Sequence, residues 1–287
     1  ENEEEEEEDY AGANEDDEFG NENPCVANKH DHKETIADID IDDGAADIAQ
    51  SIALIHSLKA AGYKKLIATP HIYWDLYQNT PARIQQALNE VKNALVQEGI
   101  EMDVHAAAEY MLDEHFNKLL QSEEPLLCIH KNWVLVECSY VSAPLDFKEK
   151  LFQLQMKGYQ PVLAHPERYP FWYQRLDYFQ ELSDQGILLQ MNILSILGYY
   201  GKEVQRVAEK LLSMKIIDLL GTDMHHERHA QALVALGMSA QVQKLLDQFQ
   251  PSKTLLSSVI HHNKAIESLL AEYGPFHLLG PSTQLNF

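Results

Sequence analysis

Five short segments of the chain each place a His, Glu or Asp where an apolar run ends. Four of these runs are typical of buried β-strands, and the run before Glu109 is the weakest of the five. Side chains at the carboxyl ends of parallel strands meet on one face of an α/β barrel, so the segments predict a single shared site. The residues concerned are His71, Glu109, Glu137, His165, Asp223 and His225.

This set contains imidazole and carboxylate groups and no thiol. Such a mixture suits two or three closely spaced divalent ions, because carboxylates can bridge neighbouring ions. Asp223 and His225 are two residues apart, and on an extended strand end both side chains point to one face. Glu137 ends an apolar run, where a carboxylate is costly to bury unless it binds a metal or pairs with an interior Arg or Lys.

Helical and strand-like patterns alternate along most of the chain. Helices are predicted over residues 47–61, 81–98, 146–157, 172–185 and 202–214, with a mostly helical stretch from about 229 to 273. Strands are predicted over residues 65–69, 102–107, 133–137, 161–164, 187–192 and 216–220. This alternation indicates an α/β fold with a parallel sheet, and about seven such units favour a closed or nearly closed barrel over an open sheet.

The N-terminal tail differs in charge from the rest of the chain. The formal net charge is -23, and the first residues, to Glu22, are rich in acids and contain no Lys or Arg. We expect residues 1–28 to be disordered, although an interaction tail or an expression artefact would have the same composition. We expect residues 29–287 to form one barrel domain. Because that domain is also acidic, its composition argues against nucleic acid as a partner.

Several other classes of protein are disfavoured by what the sequence lacks. Three unpatterned cysteines, Cys25, Cys128 and Cys138, indicate a reducing, cytoplasmic setting. We expect no membrane span, since no apolar run approaches about 18 residues, and the acidic N-terminus does not resemble a signal peptide. The Cys-Arg loop of thiol-dependent phosphatases, the Gly-x-Ser-x-Gly elbow and the Gly-x-x-x-x-Gly-Lys phosphate loop are all missing from the sequence.

The block His165-Pro166-Glu167-Arg168 is the most specific of the five segments. A guanidinium three residues after an imidazole ligand suits a phosphate oxyanion, which it can bind through paired hydrogen bonds. A surface salt bridge from Arg168 to Glu167 or Asp177 is the alternative interpretation.

Taken together, these blocks resemble the polymerase-and-histidinol-phosphatase (PHP) family, and more closely its metal-dependent tyrosine phosphatases of bacterial capsule and exopolysaccharide production. The resemblance runs from about Asp42 to the helices after Arg228. The matching blocks are Asp42-Asp43-Gly44-Ala45, Ala68-Thr69-Pro70-His71, Glu109, Glu137, Ala164-His165-Pro166-Glu167-Arg168-Tyr169, the stretch from Asn192 to Gly201, and Gly221-Thr222-Asp223-Met224-His225.

The resemblance implies a distorted (β/α)7 TIM-like barrel with two or three divalent ions, usually manganese or iron. It also implies metal-assisted hydrolysis of phosphotyrosine on a bacterial tyrosine kinase that controls polysaccharide export. Arg168 would hold the phosphate, and Arg228 is the nearest match to a second arginine of the family. The metal ligands carried over would be Asp43, His71, Glu109, Glu137, His165, Asp223 and His225.

The chain departs from the family pattern near its N-terminus. The family has His-x-His six residues before the Asp-Asp-Gly block, where this chain has Glu34 and Ile36. The His30-Asp31-His32 segment lies four residues earlier. Three interpretations stand open: a longer loop through which His30 and His32 still ligate the first metal, an altered or lost metal site, or an N-terminal stretch that is not natural sequence. A histidinol-phosphatase-like enzyme and an inactive kinase-binding protein are the alternative functions.

Aromatic residues follow two of the ligand blocks. They could form a rim that contacts a phosphotyrosine ring, and packing between helices is an equally good explanation. The residues are Tyr73, Trp74, Tyr77, Trp172 and Tyr173.

Overall fold

The computed structural model describes residues 41–60 and 63–237. The helices are α1 (Ile48–Ala60), α2 (Pro81–Gln97), α3 (Glu114–Gln121), α4 (Phe147–Met156), α5 (Asp177–Asp184), α6 (Ile193–Ile196), α7 (Lys202–Met214) and α8 (Glu227–Gly237). The strands are β1 (Lys65–Ala68), β2 (His71–Ile72), β3 (Asp103–Ala106), β4 (Glu109–Met111), β5 (Trp133–Glu137), β6 (Gln160–Ala164), β7 (Leu188–Asn192) and β8 (Leu219–Gly221). The acidic tail, His30, His32 and the region after residue 237 lie outside the described residues.

All strand pairs in the described part of the chain are parallel. One sheet has the order β2-β4-β5-β6-β7-β8, and β1 pairs with β3 in a second sheet. The two sheets share one register, because Ala68 pairs with Ala106 and His71 with Glu109 at the same offset. Between these pairs, the Ala107 backbone N–H donates to the Ala68 carbonyl at 2.7 Å. The strands β1 and β2 therefore continue each other across a short interruption, as do β3 and β4.

The central strands are buried on both faces, as expected when helices cover a parallel sheet. Val134 and Val136 of β5 pack in the large core that the helices contribute to, whereas Leu135 packs in a second, smaller apolar cluster. The parallel α/β architecture predicted from the sequence is confirmed. Pairing that would close the sheet into a barrel is not found among residues 41–60 and 63–237, so the closed barrel stays a prediction.

Two local predictions need correction. The predicted helix over 172–185 begins only at Asp177, because two short 3-10 turns that each start with a proline, Pro166–Arg168 and Pro170–Trp172, precede it. Helix α3 was not predicted from the sequence; it is short, and the Asp113 side chain caps it by accepting the Phe116 N–H at 2.8 Å.

Within the described residues, no helix is both long enough and apolar enough to cross a bilayer.

The segment before α1 is attached to the sheet by a buried asparagine. The Asn79 side-chain amide donates to the Ile41 carbonyl at 2.6 Å and to the His71 carbonyl at 2.8 Å. Asn79 is 2% exposed, so neither carbonyl can readily find water as a substitute partner. These hydrogen bonds hold the Asp42-Asp43 pair beside the start of β2.

We expect Asn79→Ala to lower the free energy of unfolding by about 2 kcal/mol, because two buried carbonyls lose their donor. Urea unfolding followed by circular dichroism measures the change. Asn89→Ala, on the exposed side of α2, is the matched control and should change stability by less than about 0.5 kcal/mol. Equal effects of the two substitutions would contradict an anchoring role for Asn79.

Candidate metal and phosphate site

The six strand-end residues predicted from the sequence lie together in the structure. His71 and Glu109 begin the paired strands β2 and β4, and Glu137 ends β5. His165 directly follows β6 and Asp223 follows β8, and both have left-handed backbone conformations, with φ of 33° and 49°. Residues other than glycine adopt this conformation at a cost, and such strain clusters at functional sites.

The Glu137 carboxylate lies between two imidazoles. Its Oε1 is 3.1 Å from Nε2 of His71, and its Oε2 is 3.6 Å from Nε2 of His165. His165 Nε2 is also 3.1 Å from Oε1 of Glu109. The side chains of Glu109, Glu137 and His165 are all at most 4% exposed. A carboxylate facing two imidazoles with different oxygens has the arrangement of a bridging ligand.

The second half of the cluster combines His225 with the Asp42-Asp43 pair. His225 Nε2 is 3.2 Å from Oδ1 of Asp43, whose carboxylate is half exposed. Asp42 is buried instead, and it accepts the His71 backbone N–H at 2.8 Å and contacts His71 Nδ1 at 2.6 Å. A carboxylate that fixes the far nitrogen of a ligating histidine is a recurring feature of metal sites. Asp42 therefore positions His71, a role that was not assigned from the sequence.

These residues fit a divalent metal cluster. Ligand atoms of Asp42, Asp43 and His71 lie within 4.8 Å of one another, and so do those of His71, Glu109 and Glu137. Ligands that share an ion at about 2.0–2.2 Å lie roughly 3 Å apart, which matches the nitrogen–oxygen separations of 3.1–3.6 Å in the cluster. The donors are nitrogen and oxygen only, which suits manganese, iron or zinc.

The excess of carboxylates controls the pKa of the imidazoles. Burial alone would lower the pKa of His225, but the Asp223 and Asp43 carboxylates outweigh it and raise this pKa to about 9. Glu137 and Asp42 likewise raise the pKa of His71 well above its usual range, against the effect of burial. Protons or divalent cations can compensate this negative charge, so binding of a metal is expected to release protons.

In chelator-treated protein, we expect the free energy of unfolding to fall as pH rises from 6.5 to 9. His225 binds its proton more tightly when folded, so its contribution is complete below about pH 6.5 and is lost as pH passes 9. The contribution is at most about 3 kcal/mol. Urea unfolding at several pH values measures it, and His225→Gln should show a smaller decline. A wild-type profile that is flat or rises over this interval would contradict the charge argument.

Arg168 is held beside the cluster by three contacts. Its Nη1 donates to Oδ2 of Asp223 at 2.8 Å. The guanidinium carbon lies 4.7 Å from the ring centre of Tyr140 and 4.5 Å from that of Tyr200. The guanidinium therefore lies over two aromatic rings, which favours cation–π attraction and restrains the position of the group. Its side chain remains 23% exposed, so its edge can still reach a ligand.

The salt-bridge alternative for Arg168 is not what the structure shows. Glu167 points away and accepts the Asn192 N–H at 3.0 Å and the Ser195 hydroxyl at 2.6 Å. The ion-pair partner of Arg168 is Asp223, which also accepts from the Asn192 side-chain amide at 2.6 Å. Tyr140 was missed in the sequence analysis, and Asn192 and Tyr200 lay in a matching block without an assigned role.

The remaining predicted residues have different placements in the structure. Arg228 is exposed at the start of α8, and within the described residues no hydrogen bond or ion pair joins it to the cluster. Trp74 stacks on His115 with ring centres 3.8 Å apart, and the Tyr77 ring is 5.9 Å from that of His71, which suits a rim. Trp172 packs against Phe147 and Phe179, which agrees with the alternative explanation that these aromatic residues pack between helices.

A parallel sheet with His, Glu and Asp at its strand ends is an arrangement typical of α/β proteins that can hold divalent cations. The family profile described as capsular polysaccharide synthesis, CpsB/CapC, matches residues 32–255, and the chain belongs to this family.

Its curated homologues are tyrosine-protein phosphatases. YwqE of Bacillus subtilis is 28% identical over 186 residues, which cover 65% of this chain and 73% of YwqE. The putative tyrosine-protein phosphatase CapC of Staphylococcus aureus is 26% identical over 187 residues, covering 65% and 73% of the two chains. CpsB of Streptococcus pneumoniae is 24% identical over 235 residues, covering 77% and 96%. The family and the class of function predicted from the sequence are confirmed.

The fold is also that of solved relatives. One solved chain, described under "Crystal structures of YwqE from Bacillus subtilis and CpsB from Streptococcus pneumoniae, unique metal-dependent tyrosine phosphatases", superposes with a TM-score of 0.65. The match is 24% identical in sequence and covers 87% of this chain and 94% of the other. This likeness establishes the α/β fold with a parallel sheet.

Proposed function

We propose that this chain is a metal-dependent phosphatase that removes phosphate from phosphotyrosine in a protein. The convergence of buried imidazoles and carboxylates beside a stacked arginine carries the proposal, because that arrangement can bind cations and a phosphate together. The proposed metal ligands are Asp43, His71, Glu109, Glu137, His165, Asp223 and His225. We propose manganese or iron as the metal, in two or three ions per chain.

A bacterial tyrosine kinase is the proposed substrate, since the family acts in capsular polysaccharide synthesis. When bound, divalent ions would polarise the phosphoryl oxygens and acidify a water molecule for attack on phosphorus. No residue of the described chain is required as a covalent nucleophile. Burial raises the pKa of the Cys138 thiol, and Glu137 adds to the effect, which makes that thiol a poor nucleophile.

Arg168 would bind and orient the phosphate. Asp223 accepts from its Nη1, and the rings of Tyr140 and Tyr200 lie 4.7 and 4.5 Å from the guanidinium carbon, so the group is held with its other N–H donors available to a ligand. Donors that are already oriented stabilise developing charge without reorganisation, and more strongly in a partly buried site. The same contacts keep Arg168 charged and in place before substrate arrives.

His229 helps to hold the backbone of His225 in place. Its Nδ1 accepts the His225 backbone N–H at 3.2 Å. Burial, reinforced by the neighbouring His226 and His225, lowers the pKa of His229 to about 4. His229 is therefore neutral at physiological pH, which lets it accept that hydrogen bond.

We expect EDTA to abolish hydrolysis of a phosphotyrosine peptide and added Mn²⁺ to restore it, because every proposed step needs the charge of the cluster to be compensated. Release of inorganic phosphate measures both. Histidinol phosphate, assayed beside the peptide, distinguishes a small-molecule phosphatase. Folded, metal-loaded protein that hydrolyses neither compound would indicate an inactive kinase-binding protein, with the displaced His30 and His32 as the first residues to investigate.

A further inference from the structure

An apolar surface adjoins the candidate site on one side. Tyr140, Val141 and Leu145, in the connection between β5 and α4, form what we call the lip, and their exposed fractions are 42%, 83% and 109%. Leaving Val141 and Leu145 in water forgoes hydrophobic stabilisation, and clustered exposed apolar residues mark interaction surfaces. The lip begins three residues after Glu137, so it is continuous with the metal cluster.

A pocket of about 350 Å³ opens behind the lip. Phe147, Trp172 and Tyr178 provide its aromatic walls and Leu145 closes its edge, and we call it the aromatic pocket. The Trp172 ring lies 5.2 Å from that of Phe147 and 4.8 Å from that of Tyr178. The three rings pack on one another, so the walls are held in place and the pocket is preformed for an apolar side chain.

The cations around the aromatic pocket are compensated, and Glu149 adds a further acid to its lining. Lys148 and Arg175 both pair with Glu181, at 3.4 and 3.3 Å. The acid Asp146 pairs with Lys150. An uncharged occupant therefore suits the pocket better than a second phosphate group, which would need cations that are not already paired.

The aromatic pocket lies within reach of a peptide whose phosphotyrosine is at Arg168. The guanidinium carbon is 4.7 Å from the Tyr140 ring, that ring is 6.1 Å from Tyr169, and Tyr169 is 5.6 Å from Trp172. Because Tyr169 is buried, these distances describe the separation of the two sites rather than a path over the surface. An extended peptide advances about 3.3 Å per residue, so about five residues cover a separation of this size.

We propose that the lip and the aromatic pocket bind an apolar side chain of the protein substrate, within five residues of its phosphotyrosine. This inference rests on the proposed function and adds a determinant of substrate choice that the metal cluster cannot supply. The occupant is a segment of the phosphorylated protein, because Tyr140 belongs to the lip and also lies against Arg168 at the phosphate site. Small aryl phosphates would leave the lip and the pocket empty.

The test compares two substrates and two matched variants. Leu145→Asp alters the lip, and Val96→Asp places the same charge at an apolar residue of α2 that is 80% exposed. Each variant is assayed with a phosphotyrosine peptide series, in which one leucine is moved through the five positions on either side, and with p-nitrophenyl phosphate. Leu145→Ser, which adds no charge, separates loss of apolar contact from repulsion of the phosphate.

We expect one leucine position to raise kcat/KM about tenfold, mainly through KM, and Leu145→Asp and Leu145→Ser to remove that gain. Turnover of p-nitrophenyl phosphate should change less than about twofold in all variants, and Val96→Asp should behave as wild type on every substrate. Equal losses on peptide and small substrate, or no preferred leucine position, would overturn the proposal.

Binding provides a readout that does not need turnover. Fluorescence anisotropy of the labelled peptide with Mn²⁺-loaded protein should show about tenfold weaker affinity for Leu145→Asp than for Val96→Asp. If wild-type protein binds the peptide with this difference between the variants but hydrolyses no phosphate ester, the proposed function is refuted and the docking surface is supported. Active protein with equal affinities for both variants would refute the docking surface alone.

Discussion

Arg168→Ala is expected to lower kcat/KM for a phosphotyrosine peptide by about 100- to 1,000-fold, the usual cost of removing one preorganised donor to a developing oxyanion. Arg168 is the cation that the structure places directly against Asp223, with its position restrained by Tyr140 and Tyr200. Arg168→Lys keeps the charge but loses the planar stack and the paired donors, so we expect it to recover less than about tenfold. Initial rates at saturating Mn²⁺ measure both effects.

The metal content of these variants separates two explanations. Arg168 also neutralises Asp223, a proposed ligand, so its loss could act through the metal rather than through the phosphate. We expect the bound manganese per chain to be unchanged in Arg168→Ala, because removing a neighbouring cation strengthens the attraction of Asp223 for a metal. Arg206→Ala, an exposed arginine paired with Glu203, is the matched control. Activity of Arg168→Ala within tenfold of wild type would contradict a role in holding phosphate.

The residues of the candidate cluster were predictable because their sequence signal is local. An apolar run that ends in Glu137 or His165 predicts a buried strand and a polar side chain at its end. In a parallel sheet such strand ends lie on the same side, so their side chains are expected to meet. The separate roles of Asp42 and Asp43 have no such local signal. Adjacent carboxylates look equivalent by pattern, and only the family resemblance singled out Asp43 as a ligand. The fold shows that Asp42 is buried against His71 while Asp43 faces His225.

The stacking of Arg168 depends on contacts between distant segments. Tyr140 follows β5 and Tyr200 follows α6, and neither position has a pattern that reports an aromatic face turned toward an arginine. A tyrosine at either position could equally well pack in the protein interior, as Trp172 does. Prediction was therefore accurate where periodicity and strand ends determine position, and it failed where side chains meet through tertiary structure.

The Asn79 contacts show how the site depends on the fold. The Asp42-Asp43 segment precedes α1 and is not part of a described strand, yet it supplies one carboxylate to His71 and one to His225. Asn79 joins that segment to β2 by donating to both Ile41 and His71. A substitution at Asn79 would thus weaken metal binding as well as stability, since it frees two of the cluster's carboxylates together.

Glu137→Gln is expected to reduce activity by more than about 100-fold, which exceeds the cost of losing an outer partner of a metal site. The amide keeps the shape of the side chain but has no charge, and its nitrogen cannot ligate a cation. The two oxygens of Glu137 face His71 and His165 separately, so Glu137 would hold a cation on each side and the substitution would weaken both sites. We therefore expect fewer manganese ions per chain, measured by elemental analysis, and a smaller rise of Tm on addition of Mn²⁺.

The control for this prediction is Glu149→Gln, an exposed residue of α4 that accepts a hydrogen bond from Gln153 and lies outside the cluster. It removes the same charge from the chain, and its activity and metal content should match those of wild type. Full metal content in Glu137→Gln, together with activity within tenfold of wild type, would show that Glu137 is not a bridging ligand. In that case, the 3.1 Å contact with His71 would be an ion pair that stabilises the fold, and the catalytic cations would have to be held by the remaining ligands.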